Sequence, residues 1–217
     1  MSSADEILDV VDERDRVVGQ APRGEVYARA LRHRCVFVLA RDAEDRIFVH
    51  RRTPVKAIFP SRYDMFVGGV VGAGESYDEA ALREAEEELG VRGLPRPVPL
   101  FRFFYDSGEY GHGSWWSAVY EVRCELPVSP QVEEVAWHTF LPEPEVVARL
   151  ADWDWVPDGV AAYERLRDWR EWRERERRER PERRERRELC VRGEFAEPGE
   201  SREPGGRGEP GGGGSAG

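Results

Sequence analysis

Glu75, Arg83, Glu84, Glu87 and Glu88 fall within the run GVVGAGESYDEAALREAEEELGV, residues 69 to 91, at spacings that suit a metal-bound diphosphate. On a helix, residues three and four apart share a face, so the carboxylates of Glu84, Glu87 and Glu88 converge. Stacked like charges of this kind cost roughly 0.2–0.5 kcal/mol per pair. They would also sit near the C-terminal end of the helix, where the backbone dipole is already negative. A hard divalent cation with oxygen ligands relieves both penalties. Such a cation neutralises phosphoryl oxygens and lowers the pKa of a bound water, while a carboxylate at hydrogen-bonding distance takes the proton.

The flanking residues predict the element that carries these groups. Ser76 reads as an N-cap, and Glu79 three residues on completes a capping box. Gly90 can take the left-handed conformation that ends a helix. Upstream, EILDVVDERDRVVGQAPR reads as a hairpin (residues 6–20), Arg23 to Leu31 as a short helix, and CVFVLARDAEDRIFVHRR as a second hairpin around Asp42 to Asp45. MFVGGVV leads as a strand into the acidic helix. Downstream come two strands around Ser107 to Gly113, the strand VAWHTF, and a helix near Glu143 to Leu150.

The acidic run resembles the signature of the Nudix hydrolases at every constrained position: Gly69, Glu75, Arg83, Glu84, Ala85, Glu87, Glu88, Gly90 and Val91. The resemblance implies an α/β fold, a mixed β-sheet in an α/β/α sandwich, and hydrolysis of a diphosphate joined to another moiety. It implies that Glu84, Glu87 and Glu88, with the carbonyl of Gly68, hold Mg2+ or Mn2+. Glu75 and Arg83 would pair and brace the loop before the helix, a task for which the rigid Arg fork is suited. The base would be Glu84, or Glu133 or Glu134 in VEEVAW, where some relatives carry it; the sequence does not choose among them.

A second resemblance covers RRTPVKAIFPSRYDMFVGG and the preceding APRGE and LRHR segments, which look like type 1 isopentenyl-diphosphate isomerases and their hydrolase-like relatives. There a basic pair matching Arg52 and Lys56 grips a diphosphate, as an Arg fork and a Lys point charge can. The isomerase Cys and His fall on Val67 and Gly69 here, and its Glu-rich segment on Gly111 to Ser114. Of its metal ligands, only a His matching His33 remains. The expectation is therefore a hydrolase. A ligand-sensing or partner-binding module of the same fold is the alternative, which the intact acidic helix disfavours. Tyr105, Tyr110, Trp115 and Trp116 are expected either in the core or stacked on substrate, and His112 in a loop near it.

The chain has 217 residues and a formal net charge of −10. That charge argues against duplex nucleic acid and membrane surfaces as partners and leaves a small-molecule diphosphate. A homodimer is compatible with the family resemblance. Cys35, Cys124 and Cys190 lack metal-ligand spacing and read as free thiols, and the acidic N-terminus lacks a leader-like apolar run, so cytoplasmic residence is expected. The domain is expected over residues 1–156. A charged helix is expected over 157–180, its apolar positions Val160, Tyr163, Leu166, Trp169 and Trp172 giving way to Arg and Glu, with a stop or kink at Pro181. Residues 181–217 are expected to be low-complexity and largely disordered.

Overall fold

The computed structural model describes residues 3–56, 58–108 and 113–191, the last eleven of these for the backbone alone. The expected contributions of Tyr110, Gly111 and His112, the tail beyond residue 191 and the Cys190 thiol lie outside what is described.

Strands β1 (Ile7–Val11) and β2 (Val17–Pro22) form an antiparallel hairpin. Asp15 turns it at φ 61°, a conformation that Asp tolerates better than most residues. Helix α1 (Arg23–Ala28) follows and is shorter than the sequence predicts. The main sheet contains β3 (His33–Arg41), β4 (Ile47–Arg52), β5 (Tyr63–Asp64), β6 (Val98–Asp106), β7 (Ser114–Arg123) and β8 (Val135–Leu141). Its order is β5-β4-β3-β7-β6, with β8 also paired to β4. β3 runs parallel to β7 from His33–Trp115 to Arg41–Arg123, and β6 returns antiparallel on β7.

Two expected pairings differ. β3 and β4 meet only at Arg41–Ile47, because β4 spends its ladder on β8, from Ile47–Leu141 to Arg52–Val135, and on β5. The MFVGGVV segment is not a continuous strand. It touches β3 through isolated bridges at Val67–Val38 and Val70–Cys35. The glycines between explain the irregular path: a Cβ at Gly68 would stand 2.0 Å from the Val36 carbonyl oxygen, so the backbone passes closer than any side chain permits.

Helix α2 (Tyr77–Leu89) lies against the sheet through Ala80, Ala81, Ala85 and Leu89, which pack with Val36, Val38, Ala118 and Tyr120. Small residues on the buried face let the helix approach closely, and Glu88 is buried along with them. After α3 (Glu143–Arg149), α4 runs from Pro157 to Val191. The helix continues through Pro181, where the sequence predicts a stop or kink. Arg and Glu, which make up most of the surrounding run, are strong helix formers and oppose the proline penalty of roughly 3 kcal/mol. The chain divides into two compact units, residues 1–167 and 168–217, so the first turns of α4 belong to the first unit. Tyr163 and Leu166 are buried there, while Trp172 of the second unit is exposed, so the predicted apolar stripe is buried only in part. Among the described residues, no helix is long and apolar enough to cross a membrane.

Candidate active site

The acidic face is held in place from both ends of α2. Ser76 caps the first turn, accepting from the Glu79 backbone N–H at 3.3 Å while Glu79 accepts from the Ser76 N–H at 2.9 Å. Gly90 closes the last turn in the left-handed conformation at φ 64°. Glu86, inside the acidic run, points away and accepts from the backbone N–H groups of Gly93 and Leu94. That leaves Glu84, Glu87 and Glu88 on the working face.

Arg83 organises these carboxylates. Its Nε and Nη2 donate to the two oxygens of Glu75 at 2.8 and 2.9 Å, and Nη2 also reaches the Val70 carbonyl at 3.2 Å. Nη1 donates to Glu84 at 2.7 Å and lies 3.5 Å from Glu87. Burial pushes the Glu75 carboxyl upward, yet the bonds from Arg83 and from the Gly72 N–H outweigh it and hold it below the usual range. A bidentate pair of this kind ties the loop before α2 to the helix.

Glu88 is buried and accepts from the Gly68 N–H at 3.1 Å. Burial, then the neighbouring Glu88, pushes Glu84 up to about 7. Burial likewise raises Glu88 to about 7 against the pull of Lys56 and Arg52. Both groups therefore hold their charge at a cost that a cation would remove. Gly69 makes room for them, since a Cβ there would lie 2.6 Å from both Glu84 oxygens. The carbonyls of Val67 and Gly69 accept from Val38 and Val36, whereas the Gly68 carbonyl between them accepts no backbone N–H among the described residues.

Among the described residues, no three His, Cys, Asp or Glu side chains stand close enough to share an ion as they are. The expected ligands are adjacent, but Glu84 is turned to Arg83 and Glu88 to Gly68. Three buried or half-buried oxygens, an open carbonyl and a glycine cradle fit a hard divalent ion once those side chains turn.

Arg52 and Lys56 face this group across one cavity of about 320 Å3, which Gly68, Gly69, Glu84, Glu87, Glu88 and Glu134 also line. Lys56 Nζ lies 3.0 Å from Glu134 and 4.0 Å from Glu88. Arg52 donates through Nη2 to the Ile58 carbonyl at 3.1 Å, and its buried Nε has no partner among the described residues. Glu133, the other acidic candidate, is exposed, does not line the cavity, and accepts from Thr53 through its carbonyl.

The cavity extends beyond the acidic helix to residues that sequence reasoning missed or left open. Asp64 and Asp158 are buried there, and so are His33 and Trp115, whose rings lie 5.6 Å apart. Tyr105 packs on Trp115 at 4.9 Å, and Trp116 lines a different surface hollow beside Arg34 and Tyr77. The available signal was a charged residue inside an apolar run: Asp64 within YDMF, and Asp158 after WVP.

An acidic helix opposed by two cations across a cavity suits the handling of phosphate groups. Residues 31–159 match the NUDIX domain model. The chain is 72% identical over 170 residues to an uncharacterized Nudix hydrolase of Streptomyces coelicolor, covering 78% of this chain and 93% of that relative. It is 35% identical over 157 residues to the Nudix hydrolase YfcD of Escherichia coli K12, covering 72% and 84%. The crystal structure of DR0079 from Deinococcus radiodurans matches with a TM-score of 0.62 at 34% identity, over 74% of this chain and 98% of that one. The chain belongs to the Nudix family. It has the α/β Nudix fold and is a hydrolase acting on diphosphate bonds.

Proposed function

We propose that the protein hydrolyses a phosphoanhydride in a small nucleoside-diphosphate-linked or related diphosphate substrate, with Mg2+ as cofactor and Mn2+ as a substitute. The observation that carries this reading is the single cavity with Glu84, Glu87 and Glu88 on one side and Arg52 and Lys56 on the other. Glu84, Glu87, Glu88 and the Gly68 carbonyl would hold the cation, which supplies charge neutralisation at the phosphoryl oxygens and an acidified water. Gly69, Glu75, Arg83 and Gly90 keep those ligands in position. Arg52 and Lys56 bind the diphosphate oxygens, and Lys56 leaves Glu134 to do so.

Glu134 then acts as the base. It lines the cavity, and its cationic partner at 3.0 Å is the group that the substrate engages. Departure of that partner leaves the carboxylate free to take a proton from the attacking water at hydrogen-bonding distance. Glu84 is the weaker choice because Arg83 already holds it.

The test is release of phosphate or nucleoside monophosphate from nucleoside triphosphates, ADP-ribose, dinucleoside polyphosphates, dinucleotide cofactors and isoprenoid diphosphates, with and without Mg2+. Turnover of at least one substrate that disappears on chelation is expected. Tight binding without turnover of any member would overturn the reading in favour of a sensing module.

A further inference from the structure

The hairpin of β1 and β2 precedes the residues matched by the family model, yet it grips the loop that leads into the acidic helix. That loop, residues 72–75, contains two glycines, and Gly74 stands at φ 75° with nothing within 4 Å of where a Cβ would be. Glycine has the most conformational freedom to lose on ordering, and nothing packs on Gly74, so hydrogen bonds must hold the segment. All of its successive N–H groups are engaged. Gly72 donates to the Glu75 side chain at 2.9 Å and Glu75 to the Gly72 carbonyl at 3.0 Å, both within the loop. Ala73 donates to the Ile7 carbonyl at 2.9 Å and Gly74 to Asp9 Oδ2 at 3.1 Å, both on β1. Half of the loop's donors therefore depend on the hairpin.

Asp9 is itself fixed. It is 5% exposed, its Oδ1 accepts from the Gln20 amide at 2.9 Å, and Arg34 Nη1 lies 3.8 Å from the Oδ2 that meets Gly74. The tip of the hairpin makes a second grip. Asp15 accepts from the Tyr77 hydroxyl at 3.1 Å, from Arg34 Nε at 2.6 Å and from Arg102 Nη1 at 2.9 Å, and Tyr77 is the first residue of α2. One hairpin thus pins the chain at Gly74 and at Tyr77, on either side of Glu75. Glu75 in turn receives the Arg83 fork, and Arg83 donates to Glu84.

We infer that Asp9 is a positioning residue for the cation: through Gly74 it fixes the glycine loop that carries Glu75, and so sets how tightly the acidic helix holds its ion. The inference rests on the ligand set proposed above. With the Gly74 N–H released, Glu75 gains conformations in which its carboxylate no longer meets the Arg83 fork squarely, and Arg83 then draws Glu84 with it. Groups behind the ligands matter because they orient the oxygens that a cation binds, and losing one typically costs roughly 10–100-fold in metal affinity. Asp9 stands behind Glu75 and Arg83, which places its effect at the lower end of that span.

The experiment titrates Mn2+ into the full chain without substrate and follows the free ion by electron paramagnetic resonance, which reads affinity apart from turnover. Asp9→Ala is expected to weaken Mn2+ binding about tenfold. The control is Asp12→Ala, which loosens the hairpin elsewhere: Asp12 accepts from the Arg14 and Arg16 N–H groups at 2.8 and 3.0 Å and has no bond to the loop among the described residues. That variant is expected to lower the melting temperature while leaving Mn2+ affinity within about twofold of wild type, as sites without shared partners do not couple. Wild-type affinity in a folded Asp9→Ala overturns the inference, and so does an equal loss in Asp12→Ala, which would make the effect one of general hairpin stability. Should Asp9→Ala fail to fold, Asp9→Asn decides, with about a threefold loss expected for one acceptor of two and an unchanged affinity counting against the role. If the wild type itself binds no Mn2+, the proposed ligand set fails and the role of Asp9 falls with it, a result distinct from tight binding that ignores Asp9.

Discussion

Glu87 differs from its neighbours in how loosely it is held. It is nearly half exposed and meets Arg83 only at 3.5 Å, whereas Glu88 is buried, the Glu84 side chain is 13% exposed, and both are hydrogen-bonded. It can turn toward a cation at the least cost in lost contacts. Glu87→Gln is expected to lower kcat at least about a hundredfold, since charge stabilisation through a metal is worth several kcal/mol. Full activity in steady-state assays of that variant would remove Glu87 from the ligand set. Asp64 gives a prediction on stability. Burial, then Asp158, raises its carboxyl to about 7 from 3.8. A folded-state pKa above the unfolded one means that stability is complete below pH 4 and declines as pH rises toward 7. Asp64→Asn abolishes that decline at this position, so its melting temperature relative to wild type should climb between pH 4 and 7 and level off above. A difference that is flat with pH would show that the folded carboxyl titrates normally. The acidic helix and its Arg83 fork were legible in the sequence because their spacing is local and fixed by helix geometry. Asp64 and Asp158 were not, because their meeting depends on β5 packing against the start of α4, which spacing does not encode.

Among the elements, α2 carries the clearest agreement between local signal and tertiary need. The Ser76 and Glu79 box and the Gly90 stop were readable from residue types, and they set which turn presents the carboxylates. What residue types did not reveal is that Gly90 also passes against the Pro130 segment. A Cβ there would stand 1.7 Å from the Ser129 carbonyl oxygen. Gly90→Ala thus combines the left-handed penalty of roughly 1–2 kcal/mol with a backbone clash, and a loss of about 3 kcal/mol or more is expected in denaturant titration. A loss below about 1 kcal/mol would mean that the loop yields freely. The broken MFVGGVV strand and the splayed β3 and β4 escaped the sequence for a related reason. Alternation predicts that a segment is extended, but which neighbour takes its hydrogen bonds is decided by competition, and β8 wins β4.

At the scale of the whole chain, the first compact unit ends at Arg167. Tyr163 and Leu166 are buried in that unit, and Tyr163 donates to Glu143 at 2.8 Å. Deleting residues 179–217 should leave activity and melting temperature nearly unchanged, whereas deleting from residue 157 should prevent folding by removing Asp158, Tyr163 and Leu166. Thermal melts and turnover of the two truncations check this, and a shorter tail that costs activity would assign the second unit a role in the active form. The parallel pairing of β3 with β7 has a kinetic consequence. His33 must find Trp115 with the loop that contains α2 and most of the cavity lying between them. Closing so long a loop is entropically costly before any contact rewards it. Folding should therefore be slow for a domain of this size, with the acidic helix able to form early by itself while the cavity it faces is completed only when the two strands zip together.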